Sequence, residues 1–311
     1  MNAAHLLDRI FDVYKKSFWK QLAYAAIVGL IATTGMGFFM VGIGIFIAAS
    51  MAFMGFGTAG VAIVAVSLLV IIPLVMLWQG TMSTGAILLS RQAFLGRKVK
   101  LPTYYIFRNI GRAVSALLAQ FLVAIPYLAI VGGLLYFFFR FTAGYVALWL
   151  FNAYFVFSLV LLIAAVVGFF IYMHMFSLAV AVAVSEQVMF FYALRRSCEL
   201  IKGDFWRLFG VKSMGWVIIF CLSFAASGVI MLIPALAGVI FAGNMLLMPV
   251  IMAINLIAGL LNIVVMFALG PLEGILTAVV YFNQRIEKEG FDIDLALDEL
   301  TEAPPSVYYD I

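Results

Sequence analysis

Two ionisable side chains lie inside apolar runs that are long enough to cross a bilayer, and they are the first candidates for chemistry in this chain. His174 lies in one run and Glu273 in another. Each precedes the next charged segment by about ten residues, or about 15 Å of helix at 1.5 Å per residue, so the two groups can lie at one depth. Ionisable groups inside a membrane are costly and are often retained for function.

Three interpretations of these two residues follow from their chemistry. His174 and Glu273 can form a pair that relays protons or binds a cation, or Glu273 can act alone. In the third interpretation, which we favour, Glu273 is neutral or hydrogen-bonded and His174 donates to a carbonyl group, so that both are structural. Pro271 frees a backbone carbonyl group nearby and makes the surroundings of Glu273 more polar.

The composition excludes a soluble protein. Of the 311 residues, 67% are hydrophobic and 10% are charged, and the mean hydropathy is +1.19. Soluble domains are about 45–50% apolar and about 25% charged. The apolar runs are unbroken, whereas the strands of a membrane barrel alternate between apolar and polar residues. The chain is therefore expected to be a helical membrane protein, and its 2 cysteines are too few for a disulfide scaffold.

Three apolar blocks divide the chain: residues 21–90, 113–185 and 213–284. They contain only Arg140 and Glu273 as charged residues. A membrane-spanning helix needs about 20 residues, so each block is long enough for two helices and a turn. Residues that favour turns cluster at residues 55–60, 140–144 and 242–249. The blocks predict six transmembrane helices in three hairpins, with helices longer than the bilayer requires.

The basic residues indicate which way these helices face. With six helices, every Lys and Arg except Arg140 falls on one side of the membrane, and the positive-inside rule makes that side cytoplasmic. Five or seven helices would scatter the same charges over both sides. We therefore expect a multi-pass protein of the cytoplasmic, inner membrane with both termini in the cytoplasm. The first apolar run is too long for a signal peptide, so it is expected to be an uncleaved helix.

A motif recurs ahead of the first and third blocks. Residues 7–20 match residues 194–207 at Leu, Arg, Lys, Phe and Trp, and the apolar positions recur at spacings of three and four, as in an amphipathic helix. We therefore predict helices in the membrane interface at residues 4–20 and 190–207. Residues 104–112, ahead of the second block, match only weakly. The repeated motif comprises Arg9, Asp12, Lys15, Phe18 and Trp19 in the first copy and Arg196, Glu199, Lys202, Phe205 and Trp206 in the second.

The second copy also carries a resemblance to a known family. Residues 186–207, together with the opening at residues 7–18 and the end at residues 281–292, resemble the motifs of the glycerophosphodiester phosphodiesterase membrane domain family. Asn283 and Gln284 stand where that family has an acidic residue and its neighbour. The resemblance implies a six-helix membrane domain of the kind found in many stand-alone bacterial membrane proteins. The family takes its name from fusions to a catalytic domain, for which this chain has no room.

A basic segment and an acidic tail are the candidate contact surfaces. The basic segment between the first two blocks can bind anionic lipid headgroups, at roughly 1 kcal/mol per basic residue, and a purely topogenic role explains its charges equally well. The tail at residues 285–311 is either a solvated helix cap or a docking site for a partner protein. Nucleic acid is not an expected partner. The headgroup candidates are Arg97, Lys98, Lys100, Arg108 and Arg112.

Motifs of enzymes and metal sites are scarce in this sequence. It has no paired-cysteine site, no H-E-x-x-H, no Walker loop and no G-x-S-x-G elbow. We therefore expect a protein that is not an enzyme and that uses neither a cofactor nor a metal.

Together these features predict an all-α polytopic membrane protein with a single six-helix domain at residues 1–284 and an acidic cytoplasmic tail at residues 285–311. The expected role is a scaffold or accessory subunit that acts with lipids or a partner protein. The alternative is a transporter of a small solute, an ion or a lipid that uses His174 and Glu273.

Overall fold

A computed structural model describes residues 3–54, 58–96, 98–99, 103–142, 148–241 and 247–291, and for some helical residues it describes the backbone alone. All nine elements in this part of the chain are helices, as predicted. They are α1 (Ala3–Met54), α2 (Thr58–Phe94), α3 (Thr103–Thr142), α4 (Leu148–Met175), α5 (Ala179–Ser185), α6 (Phe190–Ile201), α7 (Phe205–Ile240), α8 (Met248–Leu269) and α9 (Pro271–Glu289).

Five stretches of the described chain are long and apolar enough to cross a membrane. They are Ile71–Phe94, Ile106–Tyr136, Leu159–Ser185, Phe205–Ile240 and Met248–Glu289. The remaining predicted span falls in α1, where many side chains after residue 31 lie outside the described set. The predicted turns fall where long helices end and begin, although residues 55–57, 143–147 and 242–246 themselves are not described.

The two predicted interfacial helices differ from each other in the structure. α1 runs through residue 20 without a break, so the segment at residues 4–20 is continuous with the helix that follows it. The second segment divides, because α6 ends at Ile201 and α7 begins at Phe205. Gly203 in this turn has a φ of +96°, a conformation that a residue with a Cβ rarely adopts. Lys16 occupies the matching position of the first copy and permits a continuous helix.

Two helices are interrupted close to the predicted intramembrane residues. α4 ends at Met175 and α5 begins at Ala179, while α8 ends at Leu269 and α9 begins at Pro271. Proline has no N–H and is tolerated at the first position of a helix, which explains the second break. His174 therefore lies in the last turn of α4 and Glu273 in the first turn of α9, whereas the sequence predicted positions inside unbroken helices.

The largest buried cluster is formed where α2, α5 and α9 pack against one another. All the residues of α5 except the last are buried, and α9 is buried at Ile275, Leu276 and Phe282. α2 and α9 approach closely because Gly274 faces Ala86. A Cβ added at Gly274 would lie 2.4 Å from the Ala86 Cβ. This cluster lies next to the charged ends of the apolar blocks.

The apolar face of α6 packs against this core. Ala193, Leu194, Leu200 and Ile201 are all buried, so this face of the predicted interfacial helix contacts protein. The long helices α7 and α8, by contrast, expose apolar side chains such as Phe224, Val239 and Leu256, as expected of surfaces that face lipid.

Candidate functional site

His174 is held in a pocket of aromatic rings. Its side chain is 7% exposed, and its ring meets the edges of Phe205 and Phe209 of α7 at centroid distances of 5.2 and 5.1 Å. Its Nε2 atom has no hydrogen-bond partner among the described residues. The hydrogen bond to a carbonyl group that the sequence predicted for His174 is therefore not seen among the described residues. A buried nitrogen without a partner costs free energy.

Lys212 is the functional candidate that sequence reasoning missed. The sequence placed it among the topogenic basic residues, but its side chain is 8% exposed. Its Nζ donates to the Ser177 carbonyl oxygen at 3.4 Å, in the turn between α4 and α5. Its charge interacts with both His174 and Glu273. A signal was available, because Lys212 falls in the stripe at three- and four-residue spacing that buries Leu208, Val211 and Gly215.

Glu273 occupies an exposed position at the beginning of α9. The first turn of a helix favours an acidic side chain, because the N-terminal end of the helix carries a partial positive charge. Within the described residues no hydrogen bond or ion pair joins Glu273 to His174, and Glu273 and Lys212 form no ion pair within 4.0 Å. His174, Lys212 and Glu273 are therefore linked by the electrostatic effect of the Lys212 charge and not by direct contacts.

The turn after α4 is stabilised by three other helices. The Met175 carbonyl oxygen accepts from Ser197 at 2.9 Å, and the Phe176 carbonyl oxygen accepts from Gln120 at 2.5 Å. With Lys212 on Ser177, side chains from α6, α3 and α7 thus satisfy three successive carbonyl groups. Irregular backbone at membrane depth is tolerated where protein groups replace the lost helical bonds.

A network of ion pairs joins α6 and α9 to the end of α5. Glu186 accepts from Arg196 at 3.3 Å and from the Tyr281 hydroxyl at 2.9 Å. Arg196 also pairs with Glu289, which accepts from Arg285 at 2.9 Å. Burial alone would lower the pKa of Arg196, but the carboxylates of Glu186 and Glu289 raise it above its ordinary value. Arg196 therefore stays charged and binds the two acidic residues together.

A second part of the network fastens the beginning of α7 to α9. Arg207 pairs with Glu287, and Lys288 donates to the carbonyl oxygens of Leu200 and Lys202 at 2.8 and 2.6 Å. These bonds satisfy carbonyl groups at the end of α6, which have no partner within the helix. With its amide oriented to suit both neighbours, Gln284 donates to Leu200 at 3.2 Å and accepts from Arg207 at 3.1 Å.

The aromatic residues of the repeated motif occupy matching environments, whereas its arginines do not. Trp19 and Trp206 are each 75% exposed, and each ring packs edge-on against the preceding Phe at 5.2 Å. The Arg9 guanidinium lies 4.0 Å from the centre of the Phe94 ring. The remaining motif residues divide by exposure: Asp12, Lys15, Glu199 and Lys202 are exposed, and Phe18 and Phe205 are half-buried.

Three of the predicted headgroup residues are described, and they differ in the exposure of their side chains. Lys98 and Arg108 are exposed, and Arg112 is half-buried because its guanidinium donates to Asn109 Oδ1 at 2.6 Å. Arg97 and Lys100 lie outside the described residues, as does the acidic tail from residue 292 onward. The described part of the chain contains no group of three or more His, Cys, Asp or Glu residues that could hold a metal ion.

An apolar groove lies between α1, α7 and α9. It is lined by Ile10, Phe11, Gly215, Ile218, Ile219, Leu222, Leu272 and Leu276. Lys212 and Glu273 do not line this groove, so it provides no polar path to them.

The fold and these sites are those of an all-helical, multi-pass membrane protein. No family model, curated protein or solved structure matches the chain.

Proposed function

We propose that this chain is a multi-pass protein of the bacterial inner membrane that serves as a scaffold or accessory subunit and acts with lipids or a partner protein. The observation that carries this proposal is the ion-pair network. Arg196, Glu186, Arg285 and Glu289 pair with one another, so these charges fasten helices together instead of lining a path. The result is a charged end of the fold whose helices are held together by ion pairs.

The network also supports the proposed relation to the glycerophosphodiester phosphodiesterase membrane domain family. The two segments that carry most of the resemblance, residues 186–207 and 281–292, are the segments that the network joins. Gln284, which departs from the family pattern, bonds Leu200 and Arg207 and thus also links the two segments. On this proposal six helices cross the membrane, with α1 supplying one span, and both termini are cytoplasmic.

The alternative function, transport of a small solute, an ion or a lipid, rests on a different observation. Lys212 is a buried cation whose charge interacts with His174 and Glu273, and broken helices frequently line the binding sites of transporters. In this alternative, protonation or ligand binding at these three residues drives the transport step.

Complementation of a cell that lacks the protein distinguishes the two functions. Variants Glu273→Gln, His174→Ala and Lys212→Met test the transporter, and truncation after Phe291 tests the scaffold, with membrane levels of each variant measured in parallel. We expect the point variants to complement and the truncation to fail. Failure of the point variants at normal membrane levels, with a functional truncation, would reject the scaffold and favour transport.

A further inference from the structure

A third copy of the repeated motif becomes visible when side-chain exposure is compared instead of residue identity. We define an elbow as six residues at the entrance to a long apolar helix: residues 18–23 of α1, 106–111 of α3 and 205–210 of α7. The second residue of each elbow is aromatic, and Trp19, Phe107 and Trp206 are each 75% exposed.

The agreement extends over the third to sixth residues of each elbow, whereas the first residue is half-buried at Phe18 and Phe205 and buried at Ile106. The third residue is basic and exposed in all three, namely Lys20, Arg108 and Arg207. The fourth is buried, with Gln21 at 1%, Asn109 at 5% and Leu208 at 2% exposure. The fifth is half-buried and the sixth is exposed in every elbow. Only the aromatic and basic characters are conserved among the residue types, which is why the sequence match at residues 104–112 is weak.

Each of the three apolar blocks ends in a helix that contributes to the largest buried cluster. The blocks end in α2, α5 and α9, at the polar residues Ser90, Ser185 and Gln284. These three helices pack against one another in the largest buried cluster. Each elbow thus begins a unit whose far end contributes one helix to a shared centre.

Exposed aromatic and basic side chains at the entrance of an apolar helix are typical of the interface between the bilayer and water. The amphipathic rings of Trp19 and Trp206 prefer the headgroup layer, and an apolar ring such as that of Phe107 can be buried at the boundary between headgroups and acyl chains. The basic side chain can extend toward phosphate groups. Lys20 and Arg108 have no hydrogen bond or ion pair within the described residues, whereas Arg207 already pairs with Glu287 and Asp204.

We propose that the chain consists of three copies of one helical unit, that their three elbows lie at the same depth in the membrane interface, and that these elbows bind anionic phospholipid headgroups with a strength set by how free the basic side chain is. Each site combines one exposed aromatic ring with one basic side chain. The inference deepens the proposed function, on which it rests, by naming the lipid class that the protein contacts. The elbows at Trp19 and Phe107 provide the free cations, and the elbow at Trp206 binds headgroups more weakly.

Single-tryptophan proteins test the equivalence of the elbows. Trp78, Trp149 and Trp216 are replaced by Phe, and one tryptophan is kept at position 19, 206 or 107, the last through Phe107→Trp. Quenching by phospholipids brominated at different depths then locates each ring. We expect the same depth at all three positions, and a deeper position for the control Phe220→Trp, whose site is exposed in the middle of α7. A ring at position 107 that differs in depth from the other two would overturn the repeat.

The same proteins report which headgroup each elbow prefers. Brominated phosphatidylglycerol is expected to quench the tryptophan fluorescence at positions 19 and 107 at about fivefold lower concentration than brominated phosphatidylcholine. This factor corresponds to an attraction of about 1 kcal/mol per basic residue. Lys20→Gln removes the preference at position 19 alone, and Arg108→Gln removes it at position 107 alone. The control Arg195→Gln removes an equal charge from a side chain that is 81% exposed and leaves both preferences unchanged. Equal quenching by the two lipids in the parent proteins would overturn the proposed lipid sites.

A second measurement covers the case in which the tryptophan replacements prevent folding. Spin labels on Lys20→Cys, Arg108→Cys and Arg207→Cys, in a protein with Cys198→Ser and Cys221→Ala, give the same depths by their accessibility to oxygen and to nickel chelates. Both measurements use purified protein in vesicles. A failure of the lipid sites is therefore distinguishable from a failure of the scaffold proposal, which complementation tests in cells.

Discussion

The contact between Gly274 and Ala86 permits a sharp test of the packing at the centre of the fold. In Gly274→Ala, the new Cβ would lie 2.4 Å from the Ala86 Cβ and 3.7 Å from its Cα. Apolar carbons pack at about 3.5–4.0 Å, so α2 and α9 must separate by more than about 1 Å. Overpacking of this kind costs about 1–3 kcal/mol, and the better helix propensity of Ala offsets up to about 1 kcal/mol of it.

We therefore expect Gly274→Ala to lower the free energy of unfolding by about 1–2 kcal/mol, measured by tryptophan fluorescence in detergent with increasing denaturant. Gly259→Ala is the matched control, since among the described residues no atom outside its own stretch of helix lies within 4 Å of an added Cβ, and it should be neutral or slightly stabilising. The double variant Ala86→Gly with Gly274→Ala moves the methyl group across the contact, where 3.7 Å to the Cα is an ordinary distance, and should restore stability. A Gly274→Ala protein as stable as the Gly259→Ala protein, or a double variant no better than Gly274→Ala, would refute this packing.

Three further predictions concern the charged residues and the thiol. Arg196→Gln should destabilise the protein by about 1.5–3 kcal/mol, because it removes the guanidinium that pairs with both half-buried Glu186 and Glu289 and leaves the two carboxylates to Arg285 and Tyr281. Arg195→Gln, at an exposed pair with Glu199, should cost less than about 1 kcal/mol, and similar losses for the two variants in thermal or denaturant unfolding would contradict the network. Lys212→Met should stabilise the protein by about 1–2 kcal/mol, because the relief from burying a charge outweighs the loss of the 3.4 Å bond that Lys212 donates to the Ser177 carbonyl oxygen. Lys202→Met should have no effect, and a large loss of stability in unfolding experiments on Lys212→Met would show that Lys212 is firmly paired. Burial and, to a smaller extent, the Glu199 carboxylate raise the pKa of the Cys198 thiol. The rate of its alkylation in a Cys221→Ala protein should therefore rise with pH through a midpoint above that of a free cysteine, and Glu199→Gln should lower this midpoint. An unshifted pH profile would contradict this environment.

The helical class was predictable from the unbroken apolar runs, and the placement of charges predicted the ends of α2, α5 and α9 to within about five residues. Charged residues are too costly for lipid to be scattered through spans, so the blocks they delimit correspond to the long helices of the structure. The breaks after Met175 and Leu269 were harder to predict. Pro271 indicates the second break, but the first depends on Gln120, Ser197 and Lys212 from three other helices, and such tertiary bonds leave no local pattern.

The candidate site was predictable only in part. His174 and Glu273 were evident because they are ionisable groups in apolar runs, whereas Lys212 was assigned to the cytoplasmic charges because it directly precedes the third apolar block. Its burial follows from the side of α7 on which it lies, and that side is revealed by Leu208, Val211 and Gly215. The third elbow was also obscured, since Phe107 and Asn109 preserve the pattern of exposure but not the residue types of the other copies.

The proposed six-helix topology, with the basic segments on one side, is the claim on which the other proposals depend, and cysteine labelling tests it most directly. In a protein without Cys198 and Cys221, single cysteines are placed at Asn2, Lys98 and Arg195 and at Phe56, Ala143 and Asn244, and intact cells are treated with a maleimide that cannot cross the inner membrane. We predict labelling at positions 56, 143 and 244 in intact cells, and at positions 2, 98 and 195 only after the membrane is permeabilised. Labelling of position 98 or 195 in intact cells, or protection of any of the three turns, would contradict the topology.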